Sequence, residues 1–143
     1  MLHAYLLLGM SVVVTDILYR RISNFQVALF AIIAIVLVIR NSAYWEASLS
    51  FFIVLPVAIL LFVTRTWGGG DSKLLLSLAP LVSVSVLPDL FISILVCGGI
   101  LSFIYFIKCR IFNFTDKGLP YGVAIIFGFS FTSYLLPGTL LPL

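Results

Sequence analysis

LLFVTRTWGGGDSKLLLSLAP, Leu60 to Pro80, is the stretch on which the fold turns. Apolar residues run up to Val63, a polar break follows, and Leu74-Leu75-Leu76 resumes the apolar pattern at once. Within the break three glycines, Gly68, Gly69 and Gly70, lead straight into Asp71. Glycine reaches backbone conformations closed to other residues, so this segment reads as a tight loop whose peptide groups meet water. Long apolar runs on both sides argue for membrane helices. An ionisable residue at a break between such helices is a functional-site hypothesis by default.

The rest of the chain has the same character. Its 143 residues are 63% hydrophobic and 9% charged, where a soluble domain has roughly 45–50% and 25%. Mean hydropathy is +1.29. The expectation is an all-α integral membrane protein, with residues 1–143 forming a single membrane-embedded domain and no separate soluble one. No basic run exceeds Arg20-Arg21, which argues against nucleic-acid binding. Cys97 and Cys109 stand far apart without metal-ligand spacing, and they read as small apolar filler. The N-terminus is apolar from Leu2, without a basic leading region, and reads as a retained helix, not a removed signal peptide.

A spanning helix takes about 20 residues. On that measure the chain divides into six spans: 2–18, 25–39, 47–63, 74–87, 90–107 and 119–136. Asn24 reads as the cap of the second, Pro88-Asp89 as a tight turn, and Gly98-Gly99 as a point of close helix approach. Tyr44 and Trp45 suit an interfacial belt. Arg20, Arg21, Arg65, Lys73, Lys108, Arg110 and Lys117 fall in the first, third and fifth loops, and only Arg40 falls in the others. Basic residues favour cytoplasmic loops, so the odd loops are expected inside and both termini on the periplasmic side. The Asn113-Phe114-Thr115 glycosylation pattern then lies on the wrong side to be used.

Among the acids, Glu46, Asp89 and Asp116 read as solvated charges. Asp16 ends the first span and Asp71 begins the fourth, which places both carboxylates at similar depth on one membrane side. A plainer reading exists for each. Asp71 would cap its helix, and Asp16 would pair with Arg20 one turn on. Against this, a cap does not need three preceding glycines, and a charge partner does not need to sit inside a helix end. Two carboxylates that meet share a proton, because both do not ionise easily together. The ionised one takes a proton from water, and the protonated one donates to a peptide carbonyl and assists the leaving amine. No serine, cysteine and histidine set competes, since the one histidine, His3, lies at the far terminus. Two carboxylates also supply too few ligands for zinc. No metal and no cofactor is expected.

Three segments resemble the type IV prepilin peptidase family. GGGDSK, Gly68–Lys73, resembles its GxGD signature and following lysine. DILYRRISN, Asp16–Asn24, resembles its first-aspartate motif, with Ser23 where many relatives have proline. LPYGVAIIFG, Leu119–Gly128, resembles the proline-tyrosine-glycine-alanine motif of its short, CpaA- and TadV-like branch, which serves tight-adherence (Flp) pili. The resemblance implies an aspartic endopeptidase with Asp16 and Asp71 as the catalytic pair. Gly68, Gly69, Gly70, Lys73 and Asn24 would support the motif, and Pro120, Tyr121 and Gly122 would set the entry of the last helix. It further implies a prepilin substrate with a basic leader and an apolar helix, cleaved at the cytoplasmic face of the bacterial inner membrane. Pilus-assembly partners belong to the same picture. The chain lacks the four-cysteine region of long relatives that also methylate the new N-terminus, so methylation is not expected. Lys73, Arg20 and Arg21 read as headgroup anchors before substrate contacts. The alternatives are a related GxGD peptidase for another substrate, such as a preflagellin, and a non-catalytic assembly or ion-transport subunit. Loss of precursor cleavage in aspartate variants, set against acid-dependent ion flux, discriminates them.

Overall fold

A computed structural model describes residues 2–112 and 119–135 of the chain. Among these residues the fold is all-helical, with six α-helices. They are α1 (Leu2–Tyr19), α2 (Asn24–Arg40), α3 (Tyr44–Val63), α4 (Gly69–Leu78), α5 (Leu87–Phe112) and α6 (Tyr121–Leu135). Two stretches, Tyr44–Val63 and Val84–Ile111, are long and apolar enough to cross a membrane, and three shorter apolar helices accompany them. Large apolar side chains such as Leu7, Ile32, Phe52, Phe103 and Phe131 face outward. Soluble monomers rarely carry such continuous apolar surface, and a bilayer covers it without cost.

The short α4 sits at the centre, packed by α2, α3 and α6, with α1 and α5 closing on α6. Leu74, Leu75 and Leu78 are fully buried. The neighbours leave room for it through small residues. The buried face of α3 is Ala47, Ser50, Val54 and Ala58, and that of α2 is Gln26, Phe30, Ala34 and Leu37. These spacings of three and four residues form one helix stripe. Pro56 lies inside α3 without ending it, as packed membrane helices tolerate. On the other flank Tyr5 meets Phe30 edge-on at 5.0 Å and lies 5.2 Å from Phe129, joining α1, α2 and α6.

Several expectations need correction. The expected fourth span, 74–87, is not one helix. After α4 the chain passes through two 3₁₀ turns, Ala79–Leu81 and Val84–Val86. Pro80 removes a backbone donor and crowds the preceding turn, which ends the α-helix there. Backbone outside a helix is tolerated at membrane depth only where protein encloses it. Here Ala79, Leu81 and Val82 are buried, and the Ser50 hydroxyl donates to the Val82 carbonyl at 2.6 Å. Pro88 and Asp89 do not make a loop; they lie in the first turn of α5, where proline's fixed backbone angle suits a helix start.

Asn24 is not the cap of α2. Ser23 is, with extended backbone and a side chain that accepts from the Gln26 N–H at 3.3 Å, while Gln26 accepts from the Ser23 N–H at 3.1 Å. This is a capping box with glutamine at the third position. The tightest approach of α5 and α6 is at Gly128, where an added Cβ would fall 2.8 Å from the Ile94 backbone; a Cβ at Gly98 would meet the Ala124 Cβ at 3.7 Å, and one at Gly99 would meet nothing within 4 Å. Asn113, Asp116, Lys117 and the Pro137-Gly138 pair lie outside the described residues.

Candidate active site

The ends of α1 and α3 and the starts of α4 and α6 meet at one end of the bundle, around an open cavity of about 690 Å³. Asp16 and Asp71 both line it, with Arg20, Arg65, Trp67 and Tyr121. Fifty-four intervening residues fold so that two acids reach one water-accessible space.

Asp16 lies in the last turn of α1 and is 5% exposed. Its Oδ2 accepts from the Val123 N–H at 3.2 Å. That amide belongs to the first turn of α6, where it also donates to the Pro120 carbonyl at 3.2 Å, and a helix start carries partial positive charge. Gly122 makes the approach feasible, because a Cβ there would fall 2.8 Å from Asp16 Oδ2. The residue is glycine for space, since its backbone is not left-handed.

Asp71 lies in the first turn of α4, three residues after the cap residue Gly68. Its Oδ2 accepts from the Gly68 N–H at 3.0 Å. Glycine has no side chain to return the bond, so only half of a capping box exists. The plainer reading of Asp71 as a helix-terminus acid is thus part of its geometry, and the carboxylate faces the cavity as well. Burial, and after it the charge of Asp16, push the Asp71 carboxyl up to about 6, with the Gly68 amide opposing them. A charge is felt in this way only across a short, poorly screened distance.

The glycine run differs from the loop expected of it. Gly68 is extended and Gly69 and Gly70 are already helical, none with left-handed backbone. What they supply is closeness. A Cβ at Gly70 would fall 3.1 Å from the Ile22 Cβ, and one at Gly68 would fall 3.1 Å from Asp71 Oδ2. At this end of the bundle left-handed backbone falls instead on Arg20 (φ 54°) and Arg65 (φ 56°), just past the ends of α1 and α3. The Arg20 guanidinium stacks 4.9 Å from the centre of the Tyr105 ring. Trp67 and Tyr121 face each other with ring centres 6.0 Å apart, tying the α3–α4 connection to α6.

Asp16, Asp71, Gly68, Gly69 and Tyr121 line the cavity, Gly70 backs onto Ile22, and Gly122 backs onto Asp16. Pro120 is buried immediately before α6. Lys73 and Asn24 do not line the cavity; the Lys73 ammonium donates to Asn24 Oδ1 at 3.2 Å on an exposed face, joining α4 to α2. Sequence reasoning missed Gln26 and Val123. Gln26 Nε2 lies 3.2 Å from both Ser11 Oγ and Thr15 Oγ1, binding the start of α2 to the end of α1 beside Asp16. A lone amide in the apolar run from Phe25 to Ile39 was a usable signal. Val123 acts through its backbone and left none.

The family model described as the type IV leader peptidase family matches residues 3–107. The chain belongs to the type IV leader peptidase family. It is accordingly a peptidase and a membrane protein. Neither a curated protein nor a solved structure matches it. The matched span of this type IV leader peptidase relative holds both acids and the glycine run, and ends within α5. The α6 residues against Asp16 lie beyond it, so their place at the site rests on geometry alone.

Proposed function

We propose that the protein is an aspartic endopeptidase that removes the basic leader from prepilins, with Asp16 and Asp71 sharing the catalytic work. The observation that carries this reading is the convergence of the two carboxylates on one open cavity, close enough for Asp16 to raise Asp71. The family supplies the peptidase activity, and among the described residues no other acid lines that cavity.

The surroundings differentiate the pair. Asp16 accepts from the Val123 N–H at the start of α6 and shares the cavity with Arg20. Asp71 holds a proton to about pH 6. In the monoprotonated pair Asp16 takes a proton from the attacking water. Asp71 donates to the carbonyl oxygen of the scissile peptide, and the tetrahedral intermediate then collapses as a carboxyl proton passes to the leaving amine. Water enters through the open cavity, and the products leave by the same route.

Substrate and setting follow from the topology. Arg20, Arg21 and Arg65 lie in the connections at this end, Lys73 lies early in α4, and Lys108 and Arg110 lie near the end of α5 instead of in a loop; this charge placement supports putting this end of the bundle in the cytoplasm of a multi-pass inner-membrane protein. A precursor with an apolar helix in the bilayer and a basic leader in the cytoplasm presents its junction at the depth of the cavity. The ordered motifs favour precursors of Flp-type pili. The test is cleavage of a co-expressed pilin precursor. Asp16→Asn and Asp71→Asn should each abolish processing while the protein still inserts; full processing by either variant overturns the dyad. Acid-dependent ion flux in proteoliposomes without cleavage would instead favour a transport subunit.

A further inference from the structure

We infer that Ile22 is a positioning residue whose side chain sets the spacing between Asp16 and Asp71. The inference rests on the dyad reading above and deepens it. Ile22 lies in the connection between α1 and α2, does not line the cavity, and is half-buried against the apolar core. Its Cβ is 3.1 Å from where a Cβ of residue 70 would be, and its Cδ1 is 2.8 Å from where a Cβ of residue 122 would be. One side chain thus fills the gap between the first turn of α4 and the first turn of α6.

What stands on the two sides of that gap gives the contact its meaning. Gly70 directly precedes Asp71. Gly122 touches the Asp16 carboxylate and precedes Val123, which donates to it. Ile22 therefore separates the backbone that carries one acid from the backbone that holds the other. Both faces are glycine, so the isoleucine meets main chain, which cannot rotate away as a side chain would. Isoleucine is also stiff at its first torsion, and that suits a spacer.

The spacer is itself held. Ser23, next in the chain, caps α2 through its reciprocal bonds with Gln26 at 3.1 and 3.3 Å. Gln26 in turn reaches Ser11 and Thr15 on α1, each at 3.2 Å. The connection is fixed to the helix that bears Asp16, one residue before it. Three segments distant in sequence thus register against one another at a single aliphatic side chain.

The experiment compares Ile22→Ala and Ile22→Val with the unaltered enzyme, purified and acting on a pilin precursor, reading kcat, KM, thermal stability and the pH midpoint of the rate. A misplacement of about 1 Å costs on the order of a hundredfold in rate. Ile22→Ala should lower kcat by roughly tenfold or more with KM unchanged, because Ile22 does not touch substrate. Its pH midpoint should move, because the Asp16 charge acts on Asp71; among the described residues Arg20 and Arg65 are the other charged groups lining the cavity. Ile22→Val keeps the Cβ against Gly70 but loses the Cδ1 that meets Gly122, and should give a rate between those of Ile22→Ala and the unaltered enzyme. Lower thermal stability with an unchanged kcat per folded enzyme and an unchanged midpoint overturns the inference. Should Ile22→Ala not fold, Ile22→Val carries the test through smaller changes in kcat and midpoint, and no change overturns it. Persistent cleavage by Asp16→Asn or Asp71→Asn removes the dyad itself; loss of cleavage there with Ile22→Ala unaffected removes only the spacer.

Discussion

At the scale of single residues, Asp71 carries the clearest prediction. Its carboxyl titrates at about 6 in the fold against a usual value of 3.8. In the proposed mechanism the shared proton is present below that midpoint and lost above it, so the cleavage rate should fall as pH rises through about 6. A rate that stays flat across this range would remove the shared proton from the mechanism. The same shift bears on stability. The folded protein binds this proton more tightly than the unfolded chain, so the contribution is complete below pH 3.8 and is lost as pH rises through about 6. Asp71→Asn cannot ionise and still accepts from Gly68. It should raise the thermal unfolding midpoint above pH 6, by the equivalent of about 1–3 kcal/mol, and leave it unchanged in acid. Gly122→Ala should lower cleavage by roughly a hundredfold while precursor still binds, since the added carbon displaces the Asp16 carboxylate; wild-type cleavage would show that the contact is slack. Both acids were legible in the sequence because a charge inside an apolar run is conspicuous. Ser23 and Asn24 were exchanged as caps because both side chains cap well, and only geometry separates neighbours of equal propensity.

At the scale of elements, α4 explains most of what the sequence did not tell. Hydropathy registers the apolar run from Leu74 to Leu87 but not its breakage, because a buried 3₁₀ turn is as apolar as a helix. Pro80 was visible, but not the burial of the turns that follow it, where Ser50, thirty-two residues before Val82, donates to the Val82 carbonyl. The glycine run was legible as special and misread in kind, because the same residue type serves sharp turns and close packing. Gln26 holds α1 and α2 together at the site. Gln26→Leu keeps the bulk but leaves the Ser23 N–H and the Ser11 and Thr15 hydroxyls without this partner. It should destabilise the protein by about 1–3 kcal/mol, measured by unfolding in detergent, and an unaltered midpoint would show that water replaces the amide.

At the scale of the molecule, the all-helical fold and its six helices were legible from apolar run length, although only two stretches are long enough to span a bilayer unaided. The side of the membrane rests on charge placement and is open to direct test. In a background with Cys97 and Cys109 replaced, Thr66→Cys should resist an impermeant thiol reagent in intact cells and label once they are opened. Ser42→Cys, at the opposite end, should label in intact cells. The reverse pattern inverts the orientation and puts the cavity on the wrong side for a cytoplasmic leader.

The bond between Asp16 and Val123 joins residues 107 positions apart. A ribosome makes the acid early and its amide partner late. Until α6 emerges, Asp16 lies without that amide, and α4 lacks one of its enclosing walls. The candidate site is therefore incomplete until the chain has been made at least as far as Val123.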